Sequence, residues 1–152
     1  MNVHTQSIQA SVRFSRWVFL LAGVIGLIEL VPLYFYEPTL NRTQTPTLTH
    51  PEFYYGFLGV AVAWQIAFLI KSRDPQRYQP LLPALFLEKL LYPAAAYVLY
   101  AQGRVNGSTL AVASGDLVWL ALFVAVWLRL RPFDTRSPRM TTLSQPRVTT
   151  GV

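Results

Sequence analysis

Residues 17–36 read WVFLLAGVIGLIELVPLYFY, an apolar run of 20 residues with a single charged side chain, Glu29. A helix needs about 20 apolar residues to cross the roughly 30 Å of hydrocarbon in a bilayer, so this run predicts a membrane-spanning helix. A cleaved secretory signal fits less well, because its apolar region is only about 7–15 residues long and ends in small residues. We therefore expect the run to be the first span of the folded protein.

Three similar runs follow, at residues 53–70, 80–101 and 109–128. Of the 152 residues, 53% are hydrophobic and only 13% are charged, about half the charged share of a typical soluble domain. A chain this short cannot bury four helices that are apolar on all sides in a water-soluble core. The sequence therefore predicts an all-α, polytopic membrane protein whose four transmembrane helices form a compact bundle.

The four runs also divide the chain into a membrane domain and flanking segments. We expect a four-helix transmembrane domain over residues 13–131, preceded by a flexible N-terminus over residues 1–12. Residues 132–152 are rich in Pro, Ser, Thr and Arg without a periodic apolar pattern, which predicts a disordered basic tail. Residues 39–49, between the first two runs, contain five Thr, one Pro and one Asn and are expected to form an irregular loop.

The basic residues predict the orientation of the spans. Short loops rich in Lys and Arg stay on the cytoplasmic side of a membrane. Such residues cluster before the first run, after the second and after the fourth, whereas the loops on the other side hold only Arg42 and Arg104. We therefore expect both termini in the cytoplasm and a location in the inner (plasma) membrane. We therefore attribute the net charge of +6 to basic residues that orient the spans in the membrane, and not to nucleic-acid binding.

Polar side chains inside the apolar runs are the candidate site. These are Glu29, Gln65, the adjacent pair Glu88 and Lys89, and Asp116. At 1.5 Å per residue, Glu29 and Asp116 lie about 18 Å from the cytoplasmic boundary and the others about 9–14 Å from it. A charge at such a depth costs at least about 2.5–3.5 kcal/mol, so these groups are expected to face the bundle interior and pair with one another.

Three carboxylates share one ammonium in this set, so two of them need a hydrogen bond, a proton or a ligand cation. Tyr92 follows Glu88 by four residues and Trp119 follows Asp116 by three, so each ring shares a helical face with an acid. Such rings can stack on a flat or cationic ligand. The alternative is that these polar groups only hold the helices together. The predicted ligand-binding residues are Glu29, Gln65, Glu88, Lys89, Tyr92, Asp116 and Trp119.

Two prolines lie close to the predicted site. Pro93 cannot donate to the carbonyl of Lys89, and Pro32 cannot donate to the carbonyl of Ile28, which precedes Glu29. Irregular backbone inside a membrane usually lines a protein-buried or watered cavity. A simple packing kink is the alternative interpretation of each proline.

Several functional classes find no support in the sequence. There is no cysteine, and both histidines, His4 and His50, lie outside the apolar runs, so no metal site and no cofactor are predicted. The chain has no nucleotide-binding or hydrolase motif. This favours a protein that binds a small lipophilic or cationic ligand, or an oligomeric accessory subunit. Two alternatives stay open: a membrane enzyme with a buried carboxylate acid/base pair acting on a lipid- or quinone-like substrate, and an assembly factor for a larger membrane complex.

The layout from about Arg13 to Arg131 resembles the DoxX-like small four-helix bacterial membrane proteins. The resemblance rests on a long outer loop after the first span, a short basic turn from Lys71 to Arg77, and a last span that ends in arginines. It implies a bacterial four-helix bundle with a possible link to quinone chemistry. The layout is also similar to that of the superfamily of sterol isomerases and sigma-2 receptors, whose four-helix core keeps acids in an apolar cavity.

Overall fold

A computed structural model describes residues 3–43 and 48–131. It has five α-helices and, within the described residues, no strand. Two short 3₁₀ helices lie beside them, at Val31–Phe35 and Gln79–Leu81. The α-helices are α1 (Val3–Leu30), α2 (Glu37–Thr43), α3 (Pro51–Arg73), α4 (Leu82–Ala101) and α5 (Gly107–Leu130).

The prediction of four membrane-spanning helices is confirmed. The helical segments that are long and apolar enough are Gln6–Phe35, Pro51–Arg73, Gln79–Ala101 and Gly107–Leu130. Large apolar side chains cover much of their outer surface, for example Phe57, Leu91 and Val118, each more than half exposed. Such a surface is stable against acyl chains but not against water. The protein is a polytopic membrane protein with a bundle of four spans.

Side-chain contacts give the order of the spans around the bundle. Helix α1 packs against α3 and α5, and α5 also packs against α4, whereas the backbones of α3 and α4 rarely approach each other. Phe14 and Phe19 of α1 contact Arg129 and Phe123 of α5, so these two helices run antiparallel. The same holds for α4 and α5, where Phe86 contacts Trp127 and Lys89 contacts Asp116, and for α1 and α3, where Gly23 lies against Leu69 and Gly26 against Gln65. The beginnings of α1 and α4 therefore lie at the same end as the last turns of α3 and α5. We call this the basic end, because Lys71, Arg73, Arg129 and Arg131 lie there.

Three phenylalanine rings form the centre of the core. Phe123 from α5 lies 4.8 Å from the ring of Phe19 and 5.2 Å from the ring of Phe68, measured between centroids. All three side chains are fully buried. Because α1, α3 and α5 each contribute one ring, this contact joins three of the four spans.

Gly23 allows α1 and α3 to pack closely. A Cβ atom on this residue would lie 2.8 Å from the side chain of Leu69 and 2.9 Å from the backbone oxygen of Gln65. Both distances are shorter than van der Waals contact, so any larger residue would separate the helices. Small residues are commonly used in this way between membrane helices, where no hydrophobic driving force brings the backbones together.

Lys71 closes the turn between α3 and α4. Its side chain is fully buried, and its Nζ donates to the carbonyl of Pro75 at 3.2 Å and to that of Tyr78 at 2.8 Å. The ammonium also lies 5.0 Å from the centre of the Phe19 ring. The sequence suggested only a cation of the cytoplasmic surface, but the structure makes Lys71 part of the fold.

The ends of the chain and the outer loop differ in part from expectation. Residues 3–12, expected to be flexible, are the first turns of α1, and Val12 packs against the core. The outer segment begins with the short helix α2 rather than an irregular loop, because Glu37 accepts hydrogen bonds from Asn41 and Tyr55. The predicted disordered tail, residues 132–152, lies outside the described residues.

Candidate functional site

Lys89 lies between two carboxylates within the membrane-spanning part of the bundle. Its Nζ is 2.9 Å from Asp116 Oδ1 on α5 and 3.2 Å from Glu88 Oε1 on its own helix. The Lys89 side chain is 8% exposed, while those of Glu88 and Asp116 are 15% and 25% exposed. The structure thus brings together three of the predicted site residues, which we call the charge cluster: Glu88, Lys89 and Asp116.

The charge cluster has more hydrogen-bond acceptors than donors. Glu88 Oε2 is buried and has no hydrogen-bond partner among the described residues. The carbonyl of Lys89 adds a further acceptor, because residue 93 is a proline inside α4 and cannot supply the usual amide donor. With all three side chains ionised, the cluster has a net charge of −1. Both features favour a bound cation or hydrogen-bond donor.

Aromatic rings of α3 and α4 lie at and near the charge cluster. The Phe68 ring lies 5.3 Å from Lys89 Nζ, a cation–π distance. Tyr92 lies one turn beyond Glu88 on α4, and its ring centroid is 6.4 Å from that of Phe57. Tyr92 and Phe57 are 37% and 54% exposed, so both rings lie on the outer surface of the bundle.

Glu29 does not join the charge cluster. It lies about one helical turn from the level of Asp116, as the contact between Phe19 and Phe123 implies. The side chain is nevertheless exposed, and among the described residues it forms no hydrogen bond or ion pair. The prediction that Glu29 lies at about the level of Asp116 is therefore correct to within one helical turn, but the prediction that its side chain faces the bundle interior is wrong. Rotation about the helix axis is set by packing, which spacing along one helix cannot reveal.

Gln65 and Trp119 contact residues outside the charge cluster. Gln65 is buried, donates from Nε2 to the carbonyl of Ala61 at 3.1 Å, and places its Oε1 against Gly26 of α1. It therefore belongs to the interface of α1 and α3. Trp119 is partly buried against the phenylalanine core, which is the plain packing role of such a ring.

Pro93 and Pro32 affect the backbone of their helices differently. Pro93 is buried inside α4, and the α-helix continues on both sides of it. Pro32 lies in the 3₁₀ helix that follows α1, so the α-helical pattern ends one residue after Glu29. Of the two, only Pro93 adds a carbonyl acceptor to the charge cluster.

Sequence reasoning missed Phe57 and Phe68 as parts of the site. Phe68 follows Gln65 by three residues, so the two share a face of α3, and this spacing could have indicated that Phe68 also faces inward. No comparable signal marks Phe57, because its contact with Tyr92 depends on the placement of α4 beside α3.

The charge cluster lacks the usual composition of a metal site. Within residues 3–43 and 48–131, no group of three or more His, Cys, Asp or Glu side chains is placed to hold a metal ion. Two carboxylates that share an ammonium are already partly neutralised, which leaves one negative charge for a ligand. An organic monocation with an apolar body fits this charge better than a divalent metal.

Comparison with known proteins returned no relative: no protein-family model, curated protein or solved structure matches the chain.

Proposed function

We propose that this protein is a small ligand-binding protein of the bacterial inner membrane, with both termini in the cytoplasm. Its charge cluster would bind a lipophilic molecule that carries a cation or a hydrogen-bond donor. The distribution of arginines and the resemblance to DoxX-like proteins support the location and orientation. Of the site residues expected from the sequence, the proposed site retains Glu88, Lys89, Asp116 and Tyr92.

The observation that carries the proposal is the unpaired Glu88 Oε2. A buried carboxylate oxygen without a donor is costly in a low-dielectric environment. A ligand donor would satisfy it, and the exposed rings of Tyr92 and Phe57 would contact the ligand's apolar body. The position of both rings on the outer surface of the bundle favours a molecule that arrives from the bilayer rather than from water.

Replacing Glu88 by Gln tests the proposal. We expect the wild-type chain in phosphatidylcholine nanodiscs to bind radiolabelled amantadine, a lipophilic ammonium whose N–H groups can donate to Glu88 Oε2, saturably above the background of empty nanodiscs. Glu88→Gln should weaken this binding about tenfold or more, since a hydrogen bond or contact to a charged group contributes about 1.5–3 kcal/mol. Equilibrium binding measurements would determine both affinities.

Glu29→Gln is the matched control, because it removes a carboxylate from the same membrane domain but outside the charge cluster. We expect its affinity for the probe to stay within about twofold of wild type, since little binding energy is lost without a direct contact. The proposal would be contradicted if the wild-type chain showed no saturable binding, or if both variants lost affinity for the probe equally. Circular dichroism of each variant would verify that the helices are intact.

A second role, as an oligomeric accessory subunit or assembly factor, is supported by Glu29 itself. An exposed carboxylate within a membrane span costs at least about 2.5 kcal/mol unless it finds a partner or reaches the interface. A cation or hydrogen-bond donor from a second membrane subunit would provide that partner.

Native mass spectrometry from mild detergent would test this second role. We expect the wild-type chain to be released together with a second subunit, either another copy or a different membrane protein, and Glu29→Gln to be released alone. Glu88→Gln should keep the assembly, because that residue contacts Lys89 inside the bundle. A monomeric wild-type chain without a bound subunit would contradict the accessory role and leave the ligand test unaffected.

A further inference from the structure

A groove at the basic end lies between α1 and the end of α3. It has a volume of about 380 Å³. Its lining residues are Arg13, Arg16, Trp17, Leu20, Ser72 and Arg73. The lining thus contains three arginines and no acidic residue.

The three groove arginines differ from the other arginines of the basic end. Arg129 lies 4.2 Å from the centre of the Phe14 ring, and Arg131 lies 5.2 Å from that of Trp127. Among the described residues, the groove arginines have no ion pair, hydrogen bond or ring contact. The neighbouring carboxylate, Asp74, forms no ion pair with the groove arginines among these residues; its Oδ1 accepts a hydrogen bond from the backbone N–H of Arg77 at 3.1 Å. The groove therefore concentrates positive charge that the protein itself does not neutralise.

The groove changes from charged to apolar along α1. Arg13, Arg16, Trp17 and Leu20 follow one another at intervals of three, one and three residues, so they share one face of the helix. Leu20 lies about 10 Å deeper in the membrane than Arg13, at 1.5 Å per residue. Trp17 lies between them and is 57% exposed, as expected of an indole at the headgroup level. This order matches an amphiphile with its anionic group outermost.

We propose that this groove binds the headgroup of an anionic phospholipid. The guanidinium groups of Arg13, Arg16 and Arg73 would hold the phosphate oxygens, because guanidinium forms paired hydrogen bonds with phosphate. Trp17 and Leu20 would contact the glycerol region and the first part of an acyl chain. A soluble phosphate could use the arginines but not the apolar wall, so the groove is a lipid site.

The test uses the full chain in detergent, titrated with phosphatidylglycerol and followed by native mass spectrometry. We expect wild type to bind phosphatidylglycerol in preference to phosphatidylcholine with the same acyl chains. Arg16→Gln with Arg73→Gln should weaken phosphatidylglycerol binding about 25-fold, at about fivefold for each cation removed near the lipid. Inorganic phosphate at the same concentration should compete poorly.

The double variant Arg129→Gln with Arg131→Gln is the matched control, since it removes the same charge from the same end of the bundle. Its affinity for phosphatidylglycerol should stay within about threefold of wild type, because charges outside the groove act only at a screened distance. Equal losses in the two double variants would overturn the proposal in favour of unspecific attraction. Equal binding of the two lipids by wild type, or displacement by inorganic phosphate, would also overturn it. All four arginines are exposed, and circular dichroism would verify that each variant is folded.

Discussion

Replacing Lys89 by Met is expected to lower the free energy of unfolding by about 3 kcal/mol, because it leaves two largely buried carboxylates without their shared cation. Methionine keeps an unbranched apolar side chain of similar length, so packing changes little. The loss would appear as a lower midpoint in a denaturant titration in detergent micelles, followed by circular dichroism.

The size of this loss distinguishes two roles of the charge cluster. Interhelical hydrogen bonds in membrane proteins contribute about 0.6 kcal/mol on average and at most about 1.7, whereas breaking a buried ion pair from one side costs about 3–5 kcal/mol. Asp116→Asn in the Lys89→Met background should recover part of the loss, since it removes one of the stranded charges. A loss below about 1 kcal/mol would mean that the cluster is only a polar contact between α4 and α5.

Replacing Lys71 by Met is expected to cost about 3 kcal/mol as well, for a different reason. The substitution removes two hydrogen bonds from a charged donor, each contributing about 1.5–3 kcal/mol, and leaves the carbonyls of Pro75 and Tyr78 without their partner. The turn between α3 and α4 should then loosen. Faster amide hydrogen exchange over residues 74–81, together with a lower unfolding midpoint, would report this loosening.

Arg73→Met is the matched control for Lys71→Met in lipid-free micelles. It removes the same charge two residues later in the same helix, but from an exposed side chain, so its cost should stay within about 0.5 kcal/mol. Similar effects of the two variants would show that net charge at this end, and not the buried hydrogen bonds of Lys71, stabilises the turn.

Much of the fold followed from one property of the sequence, the length of its apolar runs. Helix ends were less predictable, because helices continue past the hydrocarbon when the residues there can still pack against the rest of the protein. Val12 and Lys71 illustrate this: each lies beyond the predicted span, yet Val12 packs on the core and Lys71 is buried by the turn that follows it. Hydropathy measures the affinity of a residue for lipid, not its contacts within the protein.

The sequence predicted which charged residues form the candidate site more accurately than it predicted how their side chains are arranged. Glu88, Lys89 and Asp116 meet, because α4 and α5 are antiparallel neighbours joined by a short turn, and such helices bring residues of equal depth together. Glu29 has a similar depth but lies on an exposed face of α1, since that helix is turned so that Gly23 packs against α3. The level of a residue follows from its position along the helix, whereas the direction of its side chain depends on how that helix packs against its neighbours.

Composition and the spacing of apolar residues were thus sufficient to establish four spans, to place Lys89 and Asp116 at similar levels along them, and to predict which end carries the arginines. The pairing of Lys89 with two acids, the burial of Lys71 and the convergence of Arg13, Arg16 and Arg73 on one groove became visible only in three dimensions. The physical reason is that transfer into lipid is a property of each residue alone. Charge pairing and close packing depend instead on how each helix is rotated against its neighbours.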